Sequence, residues 1–406
     1  MSQDLYKLPE GWELHKLGNL LNIQNGFAFD SKKFAAIGFP LIRIRDLKSG
    51  LKTETNYTGD YKSQYIVHSG DYLIGMDGEF RCYRWKGEDA LLNQRVCRLN
   101  SFSPLLNPNF IFYGINSHLI AIEKQTAFVT VKHISAKQIK AINFAVPPLA
   151  EQERIIEKLD ALFSRIDTAT AHLNQTLQHA KALFASALNS SLIPTGNITN
   201  APKGWSCELL KSLSNKITDG THHSPKIQFK ESGTNRFMYL TSKNIKFQGL
   251  KLDNIAYLSK ENHKDIYSRC NPEYLDQLIT KDGAMTGTCC LNTLHEPFSL
   301  LSSVAVIKLK RKYILPHFLN YFLRSPTGQE LMLSDISGAA ITRTNLKKLK
   351  SLKIPLPPLE EQKRIVAHLD AVSDRVQTLE KITNKRLEDL AALKASLLDD
   401  AFRGKL

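Results

Sequence analysis

The sequence predicts an α+β protein with a pseudo-two-fold internal repeat: two globular domains separated by a long antiparallel two-helix coiled coil. Three observations predict it. "PPLAEQERIIEKLDA" (147–161) returns as "PPLEEQKRIVAHLDA" (357–371), identical at ten of fifteen positions at an offset of 210. "GWELHKLGNLLNIQNG" (11–26) is echoed by "GWSCELLKSLSNKITDG" (204–220) at an offset of 193, and "GDYLIGMDG" (70–78) more weakly by "LDQLITKDG" (275–283). From 149 to 193, and again from 359 to 403, there is neither glycine nor proline. The repeated unit is therefore a mixed domain followed by a helix, with similar ends, a diverged middle and a longer second copy.

The first domain spans 1–148. "FPLIRIRDL", "DYLIGM" and "LLNQRVCRL" read as short strands, because β-branched and apolar residues alternate with others between Gly, Asp and Asn. "PNFIFYGINSHLIAIEK" reads as a helix opened by its proline, as does "PHFLNYFLRSPTGQELML" in the second domain, 204–358.

The first long helix is expected over 149–193. Pro148 stands at its start, where a missing N–H costs nothing, and Glu151 meets the positive end of the helix dipole. Pro194 and Gly196 stop it. The linker 194–203 is rich in turn formers, which allows the chain to reverse. The second long helix is expected within 359–406, with Pro358 and Glu361 in the same roles and Gly404 as its stop.

Apolar residues recur with 4–3 spacing in both helices: Ile155, Leu159, Leu162, Ile166, Leu173, Leu177, Ala180, Phe184 and Leu188, then Ile365, Leu369, Val372, Val376, Leu379, Leu387, Leu390, Leu393 and Leu397. That is a coiled-coil seam. Forty-odd helical residues span roughly 60 Å, far beyond a domain whose radius of gyration is about 14 Å. Each helix is the simplest partner for the other, and a chain built as domain, helix, linker, domain, helix can pair them antiparallel.

Charge separates the parts. The chain of 406 residues carries a formal +15. The two helices together carry −2, so the rest carries +17. Two basic domains on a near-neutral rod fit a polyanion. On duplex DNA, reading heads one or two turns apart lie roughly 34–70 Å apart, a window that includes the rod's length.

Catalytic signatures are missing. There is no G-x-x-x-x-G-K-[ST], G-x-S-x-G or H-E-x-x-H pattern. "NPNF" (107–110) and "NPEY" (271–274) approach the Asn-Pro-Pro-aromatic loop of amino-methyltransferases, but each lacks the second proline, and they fall at non-equivalent repeat positions. His222 and His223 adjoin without further ligands in sequence, so no metal site is expected. The six cysteines lack C-x-x-C spacing, and the first residues lack a signal-peptide pattern. No apolar run approaches the eighteen residues of a membrane span. Reduced thiols, a cytoplasmic location and a chain that binds and positions are expected.

The doubled "PPLxEQxRI…LDA", with "GWELHKLGNL", "GWSCELLKSLSNKITDGTHHSP", "DGEFRCYRWKGEDALLNQRVCRL" and "TVKHISAKQIKAINFAVPPL", resembles the specificity subunit of type I restriction-modification systems over nearly the whole chain. The resemblance implies two target-recognition domains, each reading one half of a bipartite double-stranded DNA target. It implies a coiled coil that sets the spacer and docks two adenine-methylating modification subunits, with restriction subunits completing the complex. S-adenosylmethionine, ATP and Mg would then belong to those partners, with no cofactor, metal or catalytic centre in this chain and no membrane partner. Alternatives are a stand-alone or type II-like methyltransferase specificity subunit, a self-sufficient methyltransferase or nuclease, and a coiled-coil scaffold for non-DNA partners.

The motif match carries Pro147, Pro148, Glu151, Gln152 and Arg154, and Pro357, Pro358, Glu361, Gln362 and Arg364, to the helix launch and the docking surface. An equally open role for them is capping the helix and packing it on its own domain. Base-reading residues cannot be carried across. Residue chemistry alone nominates Arg43, Arg45, Arg81, Arg84, Lys86, Gln94 and Lys132 in the first domain. In the second it nominates His222, His223, Lys226, Lys243, Asn244 and Arg343. Arg and Lys suit guanine edges and phosphates, and Asn and Gln suit adenine.

Overall fold

A computed structural model describes residues 8–125, 132–198, 200–334 and 344–406. Arg343 lies outside the described residues. The chain forms two compact units, Met1–His172 with Arg386–Leu406, and Leu173–Lys385. Each unit holds one globular head, a part of the long helix that follows it, and a part of the other long helix.

The first head contains β1 (Glu13–Lys16), β2 (Asn22–Asn25), β3 (Phe39–Ile42), the one-turn helix α1 (Ile44–Leu47), β4 (Tyr72–Gly75), β5 (Cys82–Arg84), β6 (Ala90–Leu92), β7 (Val96–Asn100), helix α2 (Pro108–Gln125) and β8 (Asn143–Val146). Its main sheet has the order β2-β7-β4-β5, antiparallel throughout. β3 runs parallel to β6, with Leu41 opposite Leu91. β1 and β8 pair at the base, Glu13 opposite Val146, just before helix α3 (Leu149–Leu192).

The second head repeats this plan with β9 (Ser206–Leu209), β10 (Ser214–Asp219), β11 (Arg236–Leu240), helix α4 (Lys260–Cys270), β12 (Gln277–Thr280), β13 (Cys289–Leu291), β14 (Ser299–Leu300), β15 (Val304–Leu309), helices α5 (Pro316–Arg324) and α6 (Pro326–Leu333), and β16 (Lys353–Leu356). Its main sheet has the order β10-β15-β12-β13. β11 runs parallel to β14, and β9 pairs with β16 ahead of helix α7 (Leu359–Phe402). The weak echo "LDQLITKDG" thus supplies the strand β12 that sits where β4 sits.

Two local readings differ from the sequence expectation. "FPLIRIRDL" is a strand only to Ile42. The Asp46 carboxylate accepts from the Arg43 N–H at 2.8 Å, and this side-chain bond folds Ile44–Leu47 into a turn of helix. "PHFLNYFLRSPTGQELML" is two helices, because Pro326 cannot continue the first and Ser325 caps the second through the Gly328 N–H.

In the first unit α3 and α7 run antiparallel. Arg154 donates to the Leu406 carbonyl, whereas Lys394 pairs with Asp167 at 2.8 Å and lies over the Phe163 ring. Ile155, Leu159, Phe163 and Ile166 share one core with Trp12, Phe110, Phe144 and Ala401. Phe402 inserts between Phe110 and Phe144, with ring centroids 4.8 and 5.9 Å away. Gly114 makes the room, since a Cβ there would lie 2.4 Å from the Phe402 ring. Gly404, at φ 66°, ends α7, and the Lys405 N–H bonds back to the Asp400 carbonyl.

The second unit has the same antiparallel arrangement. Ser190 and Ser191 lie beside Glu361, Arg364 and Ile365, whereas Lys181, Phe184 and Ala185 lie beside Val376, Gln377 and Glu380. Leu188 and Leu192 pack with Ile365, Leu369, Phe318 and Phe322. The seam departs from the sequence expectation at Leu379 and Leu393, which are exposed, and at Phe163, which is buried where Leu162 was expected. No helix among the described residues is long and apolar enough to cross a membrane.

Candidate nucleic-acid interface

In each head, loops converge at the end of the main sheet where β2 and β10 finish. A glycine sets each one. A Cβ on Gly26 would stand 2.0 Å from the Asn93 carbonyl oxygen, and one on Gly220 would stand 2.0 Å from that of Leu300. Only glycine allows so close an approach. It lets Phe27 N–H reach the Leu92 carbonyl and Gln94 N–H reach that of Phe27, both at 2.9 Å. In the second head Thr221 N–H reaches the Leu300 carbonyl and Ser302 N–H that of Thr221, both at 2.8 Å.

Beside these loops stands a matched turn. Asp46 receives the Arg43 N–H, and the Asn244 Oδ1 receives the Thr241 N–H at 2.9 Å. Arg45 and Lys243, one residue earlier, are left exposed. In the first head Arg43, Arg45 and Gln94 line one cleft of about 460 Å³ with Phe29, Asn93 and Arg95. Arg95 was not nominated from sequence. It pairs with Asp77 at 2.9 Å, and His133 meets the same carboxylate at 2.6 Å.

The remaining first-head candidates divide. Arg81 pairs with Glu123 at 2.6 Å and Lys132 with the same carboxylate at 3.4 Å. The Arg81 hydrogen bond, helped by Lys132, holds the Glu123 carboxyl below the usual range. Both cations are thus tied to α2. Arg84 lies over the Tyr72 ring and Lys86 bonds to Gly50, at the end of β4 away from Asp77. The cleft does not include them.

In the second head His222, His223 and Lys226 are exposed on the loop after β10. His222 Nε2 stands 3.5 Å from Asp219 Oδ1. Asn244 is buried and its amide is engaged within the turn, donating to the Lys251 carbonyl at 2.9 Å. Asp219 also gathers Lys281 and Arg269, neither nominated from sequence. No local signal marks them, because the pairing joins residues 50 and 62 positions apart.

The helix launches match atom for atom. Gln152 is fully buried; its Oε1 accepts from the Asn107 N–H, and its Nε2 donates to the Leu105 and Pro147 carbonyls at 2.8–2.9 Å. Gln362, also fully buried, accepts from Leu315 and donates to Tyr313 and Pro357 at the same distances. Tyr113 donates to Asp160 and Tyr321 to Asp370. Pro147 and Pro357 are buried, whereas Pro148 and Pro358 are exposed. Glu151–Arg154 and Glu361–Arg364 form two-pronged pairs on the helix surface. These pairs and the outer prolines lie at the helix surface; the two glutamines lock each helix to its own head. Among the described residues no group of three or more His, Cys, Asp or Glu is placed to hold a metal ion.

A family model for the type I restriction modification DNA specificity domain matches residues 9–179 and 202–389. The type I restriction enzyme EcoBI specificity subunit of Escherichia coli is 32% identical over 422 residues, covering 99% of this chain and 88% of that protein. The EcoKI specificity subunit of Escherichia coli K12 is 25% identical, with 98% and 90% covered. Among solved structures, a chain from work on assembly and conformational transition of the type I R-M system superposes with a TM-score of 0.74 at 21% identity, covering 99% of this chain and all of that one. The HsdS subunit from Thermoanaerobacter tengcongensis gives 0.51 at 20% identity, with full coverage of both. These two show the shared fold.

Proposed function

The chain belongs to the family of type I restriction-modification DNA specificity subunits, and from that premise we propose that each head reads one half of a bipartite duplex target. Members of the family recognise DNA and are not themselves catalytic, and this chain is one of them. The observation that carries the finer reading is the paired loop architecture. The same glycine and the same Asx-closed turn present Arg45 in one head and Lys243 in the other, on frames that otherwise match.

The recognition domains are 1–148 and 204–358, and the spacer helices are 149–193 and 359–406, joined by 194–203. Arg43, Arg45, Gln94 and Arg95 contact the first half-site. His222, His223, Lys226 and Lys243 contact the second, on the same end of the sheet. Glu151–Arg154 and Glu361–Arg364, with Pro148 and Pro358, form two equivalent docking surfaces for two adenine-methylating modification subunits. Those partners supply S-adenosylmethionine, and restriction subunits supply ATP and Mg chemistry. The complex works in the cytoplasm, where its DNA is.

Mapping methylated adenines in a genome with and without the chain tests this reading; a single split motif is expected. Removing one heptad from both helices shortens each by about 10 Å, or roughly three base pairs of duplex. The mapped spacer should shorten while both half-sites stay the same. Altered half-sites would overturn the division of labour between heads and helices.

A further inference from the structure

The second head contains a buried carboxylate that organises two cations and a histidine. Asp219, at the end of β10, is 2% exposed. Its Oδ2 accepts from Lys281 Nζ at 2.8 Å, and Lys281 is itself buried. Its Oδ1 accepts from Arg269 Nη2 at 2.9 Å, while Arg269 Nε donates to the Asp219 carbonyl at 3.3 Å. Burial alone would push the Asp219 carboxyl up, but the bonds from Lys281 and Arg269 outweigh it and hold the group below the usual range.

Lys281 already neutralises Asp219 inside the core. Arg269 is therefore a surplus cation, and its side chain is 48% exposed. Its Nε–Nη2 edge is held, and Nη1 has no partner among the described residues. His222, on the loop after β10, stands beside the same Oδ1. Arg269 comes from α4, an eleven-residue helix. Between β3 and β4 the first head has only two short helical turns, Ile44–Leu47 and Ser63–Tyr65, and Asn25, not an aspartate, precedes its equivalent glycine. The cluster is thus particular to the second head.

We propose that Arg269 is a specificity-determining residue of the second head, aimed by Asp219 at a guanine in its half-site. This rests on the reading of the chain as a DNA specificity subunit. A guanidinium pinned along one edge presents its terminal edge in a fixed plane, and that fork matches O6 and N7 of guanine in the major groove. Pinning also removes rotamer freedom before binding, so less is lost on contact. A phosphate needs no such fixed plane, since a flexible lysine serves as a point charge. Asp219 is the positioning residue.

The test maps methylated sites for the complete complex carrying the wild-type chain, Arg269→Ala, Arg269→Lys, or the double change Asp219→Asn with Lys281→Met. The double change removes the buried pair together and so leaves no unpaired buried charge. Discrimination at one G·C position of one half-site should fall about 5- to 150-fold in both arginine variants. It should fall in the same direction in the double variant, with the other half-site and the melting temperature unchanged. Uniform weakening on every sequence, with a salt slope lower by about one, marks a phosphate contact and overturns the proposal. So does an unchanged motif, or a half-site without a G·C pair. A wild-type complex with no split motif would instead bring down the reading of the chain itself.

Discussion

In the first head the Asx-closed turn presents Arg43 and Arg45, and the neighbouring loop presents Gln94 and the Asp77-bound Arg95. In the second head the equivalent turn presents Lys243, and Asp219 holds Arg269 and Lys281 beside His222. Beneath those faces the heads agree in sheet order, in the clashing glycine, in the buried glutamine and in the tyrosine–aspartate tie to the helix. The shared contacts are mostly to backbone atoms, so they tolerate a change of neighbouring side chains. The divergent contacts mostly join side chains to side chains. A frame held by backbone can carry a face that changes freely.

That contrast can be broken from the frame side. Gln152→Leu and Gln362→Leu each leave one N–H and two carbonyls unpaired, at about 1–3 kcal/mol per buried group. Urea unfolding should show losses of about 3–9 kcal/mol, alike in the two variants; a large difference would break the equivalence of the frames. Gly26→Ala and Gly220→Ala come next. Each drives a methyl into a carbonyl oxygen, and strain of this kind costs about 1–3 kcal/mol or more. Calorimetry should again show matched losses. The smallest effect sharpens the contrast between frame and surface. Arg154→Ala and Arg364→Ala should leave thermal unfolding unchanged, while co-purification of the modification subunit declines. Full assembly by the double variant would remove these pairs from the docking surface.

The long helices were legible because nothing in 149–193 or 359–403 breaks a helix, and their proline starts repeat. The strands were legible where apolar alternation was clean, as in Tyr72–Gly75. The reading ran one turn too far at "RIRDL", where a single aspartate reversed the backbone. The seam was readable to about a residue, and Leu162 and Phe163 exchanged roles because two adjacent apolar residues leave the phase open. Among the candidate contacts, Arg43, Arg45 and Gln94 were recognisable by type, and they share a cleft. Arg95 and Arg269 were not, because what sets them apart is a carboxylate distant in sequence. Arg81 and Lys132 carry the right charge, but Glu123 already holds both.

Phe402, seated between Phe110 and Phe144, also sets a timetable. The first unit is discontinuous: it needs Arg386–Leu406, whereas the second is one unbroken stretch, Leu173–Lys385. At about 5–20 residues per second, the ribosome takes roughly 10–40 s to travel from the end of the first segment to the start of the second. Through that interval the core around Phe110 and Phe144 lacks its last aromatic ring, while the second unit can close on its own. The head translated first is the head that finishes last.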